Sequence, residues 1–388
     1  MKILFMTYAS ATGRGGHVHS MLQISNFISG FNDIRVLNLG DGDSCVLIAS
    51  KNFIGSCDVS NIKQISILNR QFKQKLNGFV PDIIHCFDEY SYLLCIHCKI
   101  FKTKKFVFTK CGGPSSPNSY WFHADNIILF STENYKWYEH KKQYRKSNIQ
   151  LIPNRVEGLT INSLNFFNLK KVANEFNILR IGRIGDNYKN SILSLINLTQ
   201  TLTTEYSIIR KINVYIIGVV EDIYIFKEIS DYAIEKRIEI IFITDERTIH
   251  ASQLLGMADC VLGTGRGLME AMSLSIPVLT PVSNNTYPVL VNQANFDGLL
   301  ATNFSPRNLI PNINEAEELN RISGIINSAE TYENIQKETR DLFNSRLSIN
   351  SSKGIYEELY FTALKTKKSY HFINTIYVTK YIIRNLWI

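Results

Sequence analysis

Apolar and polar positions along this chain follow two rhythms that alternate through most of its length. KILFMTYA (2–9) is a short apolar run that predicts a buried strand, the loop SATGRGGH follows, and VHSMLQISNFISGF then sets Met21, Ile24, Phe27 and Ile28 along one side at helical spacing. DIRVLNLG, PDIIHCF, KFVFTK and NIILFS read as further strands joined by helical or loop crossovers. Such alternation implies a parallel sheet with right-handed connections. IQLIPNRVEG closes this half, and the polar, irregular stretch to Asn174 reads as a linker.

A second run of alternation then begins. FNILRIGRI is a strand, NSILSLINLTQTL a helix, INVYIIGVV a strand, SDYAIEKR a helix, IEIIFIT a strand and HASQLLGMA a helix. DCVL and IPVLT, both apolar and β-branched enough for buried parallel strands, flank the glycine turn and short helix of GTGRGLMEAMSLS. The prediction is an α/β protein with two Rossmann-like domains whose parallel sheets face across a ligand cleft. The first spans 1–158 and the second 159–345. Residues 346–388 form a C-terminal helical segment that crosses back and ends in a basic, aromatic tail.

Length agrees, since 388 residues exceed one ordinary core. A net charge of +8 favours an anionic partner, a class that includes nucleic acid, acidic lipid and nucleotide-linked substrates. MKILFMTYAS reads as a first strand rather than a secretory signal, and no run approaches the roughly 18 apolar residues of a membrane span. Seven cysteines without framework spacing fit a reducing cytoplasm. Cys95 and Cys98, with His97 between them, have a metal-like spacing but lack a second ligand pair, and read as small hydrophobes buried on a helix.

The tail from Lys365 combines six basic positions, counting His371 and Arg384, with three tyrosines and Trp387. As a helix it carries Phe372, Ile376, Ile383 and Trp387 along one side, with Ile373 and Tyr377 adjacent and Lys380 and Arg384 four apart. Two readings stand: an interfacial helix on anionic lipid, or a helix packed back across the first domain.

Several constellations carry chemistry. TGRGGH follows the first strand but does not complete the dinucleotide fingerprint, which argues against hydride transfer. Gly15 and Gly16 still open a helix where backbone amides can approach a phosphate or sugar, a tight turn being the alternative. In RIGRIGDNYKNS, Arg183 ends a strand and Lys189 stands six residues on, before a helix. Two cations at a sheet's carboxyl edge can hold a diphosphate and stabilise the charge that develops as it departs. The strand, glycine loop and helix around Glu270 make a concave set of amide donors that favours an anion. Glu270 reads either as a helix-start acid, with Gly267 where a capping box wants Ser or Thr, or as a carboxylate accepting from the paired hydroxyls of a ribose.

The order GGH, PDIIH, IPNRVE, IGRIGDNYKNS and GRGLMEAMSLSIPVLTP resembles the retaining GT-B glycosyltransferases of the large family-4 type, which build bacterial surface polysaccharides such as capsule, O-antigen and exopolysaccharide. The resemblance covers residues 1 to 364. It implies a nucleotide diphosphate sugar held mainly by the second domain, a glycan or lipid-linked glycan acceptor facing the first, and neither metal nor other cofactor. Nucleic acid is not an expected partner.

By the same resemblance, Arg183 and Lys189 bind the donor diphosphate and assist the leaving group, and Glu270 holds the ribose. Gly15 and Gly16 approach the donor from across the cleft. Gly265, Arg266 and Gly267 belong to the donor loop, and Arg155 at the hinge, beside Asn154, reaches a phosphate. The pattern departs from the family at two places. Leu262 stands where a first glutamate is expected, with the loop Gly263 to Arg266 after it, and Lys110 stands near an expected histidine, where it would serve as a catalytic or orienting group. His17 and His85 are acceptor or sugar contacts, with a structural role as the alternative for each. The expected activity is transfer of a sugar with retention at the anomeric carbon by a cytoplasmic enzyme, attached to the inner face of the cytoplasmic membrane if the tail is interfacial. The other readings are a sugar-nucleotide 2-epimerase of the same architecture and an inactive donor-binding partner subunit.

Overall fold

The computed structural model describes residues 1–13, 15–59, 65–117, 122–162, 171–367, 369, 374–376 and 379. The chain divides into two compact units, Met1–Asn154 with Ile349–Ile388, and Arg155–Ser348. The sequence reading set the divisions after residues 158 and 345.

The first unit is built on a seven-stranded, all-parallel sheet: β1 (Lys2–Tyr8), β2 (Asp33–Leu39), β3 (Phe53–Cys57), β4 (Ile83–Cys86), β5 (Lys105–Lys110), β6 (Asn126–Leu129) and β7 (Asn148–Leu151), in the order β3-β2-β1-β4-β5-β6-β7. Side chains alternate between its faces. Leu4, Met6, Ile84, Cys86, Phe106 and Phe108 pack under α2 (Ile65–Leu76), α3 (Glu89–Ile96) and α4 (Thr132–His140). Ile3, Phe5, Val36, Ile83 and Val107 face the opposite layer, α1 (Gly16–Ile28) and α11 (Lys353–Lys365), which contribute Met21, Ile24, Ile28, Leu359 and Tyr360. Both faces are therefore covered, as a parallel sheet requires. Strands β3 and β7 lack a clear apolar run, which is why the hydrophobic rhythm did not predict them.

The second unit repeats the plan with six strands: β8 (Glu175–Ile181), β9 (Lys211–Ile217), β10 (Ile240–Ile243), β11 (Cys260–Leu262), β12 (Val278–Thr280) and β13 (Val289–Leu290), in the order β10-β9-β8-β11-β12-β13. Only β13 runs antiparallel. Helices α5 (Asp186–Glu205), α6 (Ile223–Glu235) and α9 (Glu315–Asn327) cover one face, and α7 (Gly265–Ser273), α8 (Phe296–Leu300) and α10 (Ala329–Leu342) the other. The predicted helix HASQLLGMA lies in a 3-10 stretch, Glu246–Met257, interrupted at His250.

The two units share a detail at the end of the second strand of each. Gly40 follows β2 and Gly218 follows β9, and a Cβ on either would collide with a backbone carbonyl, that of Ala9 after β1 or of Gly182 after β8. Only glycine lets the second strand finish this close to the loop that leaves the first.

The described part of the tail docks on the first unit. Thr366 Oγ1 donates to Asn126 Oδ1 (3.0 Å), Ser369 N–H to Asp125 Oδ2 (3.0 Å), and Lys105 Nζ to the Thr366 carbonyl (2.7 Å). The buried Asn374 amide accepts from the His123 N–H (3.0 Å) and donates to the His123 carbonyl (2.8 Å). Through Asn374 the segment thus packs back across the first domain, at the amino edge of its sheet. Phe372, Ile373, Tyr377, Lys380, Ile383, Arg384 and Trp387, on which the interfacial reading rests, lie outside the described residues. Among the described residues no helix is long and apolar enough to cross a membrane.

Candidate functional site

In each sheet the strand order reverses at one point, between β1 and β4 in the first unit and between β8 and β11 in the second. Loops on either side of such a point diverge and leave a crevice at the carboxyl ends of the strands. The predicted site residues fall largely at these two edges.

At the first edge, Gly15 caps α1 and Gly16 is its first residue, with no side-chain cap. The His17 ring lies against Gly15, so that a Cβ there would come within 2.7 Å of it, and His17 Nε2 is 3.3 Å from the Tyr8 carbonyl at the end of β1. Nothing occupies the space a Cβ on Gly16 would take. Asp88 was not singled out in the sequence. Its carboxylate accepts from the Tyr8 N–H (2.6 Å), the Thr7 hydroxyl (3.1 Å) and the Ser91 N–H (2.7 Å), capping α3 and pinning the end of β1. Lys110, half-buried, ends β5 at the same edge of the sheet.

His85 takes the structural alternative, and the structure corrects its assignment as an acceptor or sugar contact. Its side chain is fully buried within β4, with Nδ1 2.9 Å from the Tyr360 hydroxyl and Nε2 2.7 Å from Thr109 Oγ1. Burial pushes its pKa down to about 3, so it is neutral and occupied on both nitrogens. It joins α11 to the sheet and has no surface to offer an acceptor. Cys95 and Cys98 are buried as read, and burial raises both thiols, Cys98 to about 12.

At the second edge, Arg183 lies in the loop between β8 and α5, and Lys189 in the first turn of α5. Neither cation stands alone. Arg183 Nη1 donates to Glu221 Oε1 at 2.7 Å, which raises the guanidinium pKa, and Lys189 pairs with Glu228. Glu221 and Glu228 follow β9 in the sequence, and only the sheet brings them beside β8. Arg183 is half exposed, so an incoming anion can exchange with Glu221 at little cost.

Helix α7 begins at Gly265, one strand further along the sheet. Thr264 is its N-cap residue, without a side-chain cap bond, and the first turn holds no acid. Glu270 therefore sits in the second turn, which removes the helix-start reading. Its Oε1 accepts from Arg266 Nη2 at 2.8 Å, an i,i+4 pair with both side chains largely covered. Arg266 Nη1 is buried with no hydrogen-bond partner, as is Asn303 Oδ1. Gly265 has φ +51°, a left-handed conformation open to glycine, and a Cβ on it would lie 3.4 Å from Asn303 Nδ2. Gly267 faces open space. Arg155 is the first residue of the second unit, partly covered, and Asn154 the last buried residue of the first unit's main segment.

The sequence reading missed Arg180 altogether. It follows Phe176 and Ile178 on the α5 face of β8, is 5% exposed, and lines a cavity of about 110 Å³ with Tyr188, Ser191, Leu262, Gly263 and Thr264. The only signal was an arginine breaking the apolar alternation of FNILRI. Among the described residues no group of three or more metal-ligating side chains gathers.

No protein-family model matches the chain, and no curated protein matches it in sequence. Solved structures match its fold. The Anabaena protein Alr3699/HepE, in complex with UDP and glucose, superposes with a TM-score of 0.64 at 14% identity, over 93% of this chain and 100% of that one. A glycosyltransferase from Rickettsia africae ESF-5 gives 0.63 at 16% identity, over 94% and 100%. The lipopolysaccharide outer core galactosyltransferase WaaB gives 0.55 at 19% identity, over 95% and 100%. At these identities the likeness establishes the fold: two Rossmann-like α/β domains with parallel sheets, as in GT-B glycosyltransferases.

Proposed function

We propose that the protein is a glycosyltransferase that moves a sugar from a UDP-sugar donor to a hydroxyl of a glycan or lipid-linked glycan, with retention at the anomeric carbon, in the assembly of a surface polysaccharide. One observation carries the reading. The carboxyl edge of the second sheet gathers, around its reversal point, the Arg183 loop, the Lys189 turn of α5 and the glycine-led start of α7 with Glu270. A fold shared with HepE, whose structure holds UDP and glucose, and with two named glycosyltransferases supports it.

In this reading the donor's diphosphate displaces Glu221 and Glu228 from Arg183 and Lys189. The C1–O bond to the diphosphate breaks while the acceptor oxygen bonds to C1 from the same face, the acceptor hydroxyl's proton passes to the departing phosphate oxygen, and the two cations stabilise the negative charge that remains on the leaving group. Glu270, held by Arg266, accepts from the ribose hydroxyls. Within the first unit, Lys110 at the end of β5 orients the acceptor, at the same sheet edge as Gly15, Gly16 and His17. No metal or cofactor takes part, and the enzyme works in the cytoplasm.

The test is a thermal-shift screen of UDP and UDP-sugars against the full chain, followed by assay of UDP release with and without lipid-linked acceptor. Binding of UDP raises the melting temperature by mass action. Release that requires acceptor supports transfer, release or conversion of donor alone supports an epimerase, and binding without turnover supports an inactive partner.

A further inference from the structure

We infer that the cavity over Arg180 is a subsite for a carboxylate on the transferred sugar, so that the donor is a nucleotide-linked uronic acid. The inference rests on the donor-site reading above. Arg180 stands in a row where Phe176 and Ile178 point into the α5 layer, and its register partner on β11 is the apolar Leu262. Among the described residues no carboxylate pairs with it. Its Nε donates to Ser191 Oγ (3.2 Å), and Nη1 makes two long contacts with the carbonyls of Gly182 and Arg183 (3.4 Å each). Nη2 makes no hydrogen bond with any described residue. The Tyr188 ring, its centroid 5.8 Å from the guanidinium carbon, gives further electrostatic support.

A guanidinium taken out of water normally brings a counterion with it. Here burial alone draws the pKa down to about 10. An anion would reach the guanidinium in the cavity that Arg180 lines at the carboxyl edge of β8 and β11, large enough for several heavy atoms when one water occupies about 30 Å³. The walls decide between anions. Leu262, Pro281, Pro306 and Tyr188 offer carbon surface, which suits a carboxylate on a sugar ring better than a phosphate. The phosphates already have Arg183 and Lys189 at the rim. Planar guanidinium and planar carboxylate also match two bonds to two oxygens.

The experiment is titration calorimetry of the full chain with UDP, UDP-glucose, UDP-glucuronate and UDP-galacturonate, repeated for Arg180→Gln and Arg180→Lys. Wild type is expected to bind at least one uronate donor about ten-fold or more tightly than UDP-glucose. Arg180→Gln should lose that preference while keeping its affinity for UDP, and Arg180→Lys should keep part of it. Equal wild-type affinities for UDP-glucose and both uronates overturn the inference without needing any variant to fold. Loss of UDP binding in Arg180→Gln, with its melting temperature retained, moves Arg180 to the diphosphate and also overturns it. Failure of wild type to bind UDP at all overturns the donor-site reading, and the inference with it.

Discussion

Arg266 and Glu270 hold each other across one turn of α7, Nη2 to Oε1 at 2.8 Å, at the start of the helix that opens on the carboxyl edge of the second sheet. The pair fixes the carboxylate's direction and leaves Glu270 Oε2 to accept from a ligand. It also leaves Arg266 Nη1 buried with a donor to spare. The glycine loop and the acid that follows it therefore act as one unit rather than as two separate motifs.

Glu270→Gln keeps the side-chain shape and removes the charge that ribose hydroxyls would meet. The expected result is roughly ten-fold weaker UDP binding by calorimetry, since hydrogen bonds to an ionised acceptor are the stronger kind. Arg266→Ala strands a mostly covered carboxylate and should lower unfolding stability by about 1–3 kcal/mol in urea titration. Unchanged UDP affinity in Glu270→Gln would remove it from the site.

Glu221 and Arg183 give opposite signs. Glu221→Ala frees the Arg183 guanidinium for an incoming diphosphate and should tighten UDP binding, while stability changes by no more than about 1 kcal/mol, as for an exposed pair. Arg183→Ala should weaken binding and sharply cut sugar transfer with the melting temperature retained. Weaker UDP binding in Glu221→Ala would mean that the carboxylate orients the cation instead of competing for it.

Gly218→Ala tests how the fold aims the Arg183 loop. The added methyl would strike the Gly182 carbonyl, and forcing the two strand ends apart should cost about 1–3 kcal/mol. Because Gly182 precedes Arg183, UDP affinity should fall as well. Gly267→Ala, which meets open space inside α7, is the control and should leave stability unchanged or raise it by up to about 1 kcal/mol, since alanine is the better helix former.

His85 makes the first unit sensitive to acid. Its pKa is about 3 when folded and near 6.5 when unfolded, so between these values the unfolded chain binds the extra proton and stability rises with pH. The contribution is fully present above pH 6.5 and is lost as pH falls below it, by roughly 2 kcal/mol between pH 6.5 and 5. Urea titrations at pH 7, 6 and 5 should show this slope. His85→Asn should be less stable at pH 7 and lose less on acidification. Parallel losses in the two proteins would assign the acid sensitivity elsewhere.

By itself the sequence determined the architecture. Apolar strand runs, helical spacing and glycines at strand ends are local, so FNILRIGRI, INVYIIGVV and DCVL could be read as neighbours in a parallel sheet and Arg183 placed at its edge. Partners far apart in sequence were decided only by the tertiary structure. Glu221 and Glu228 meet Arg183 and Lys189 because β9 pairs with β8, and no local pattern encodes that meeting. His85 looked available in PDIIH, but α11 folds back over the sheet and closes it between Thr109 and Tyr360. Arg180 reads as one charge in an apolar strand, and its meaning comes from what surrounds it. Burial, the absence of a carboxylate and an open cavity are properties of the packed molecule, because charge and solvent access depend on every element that covers a residue.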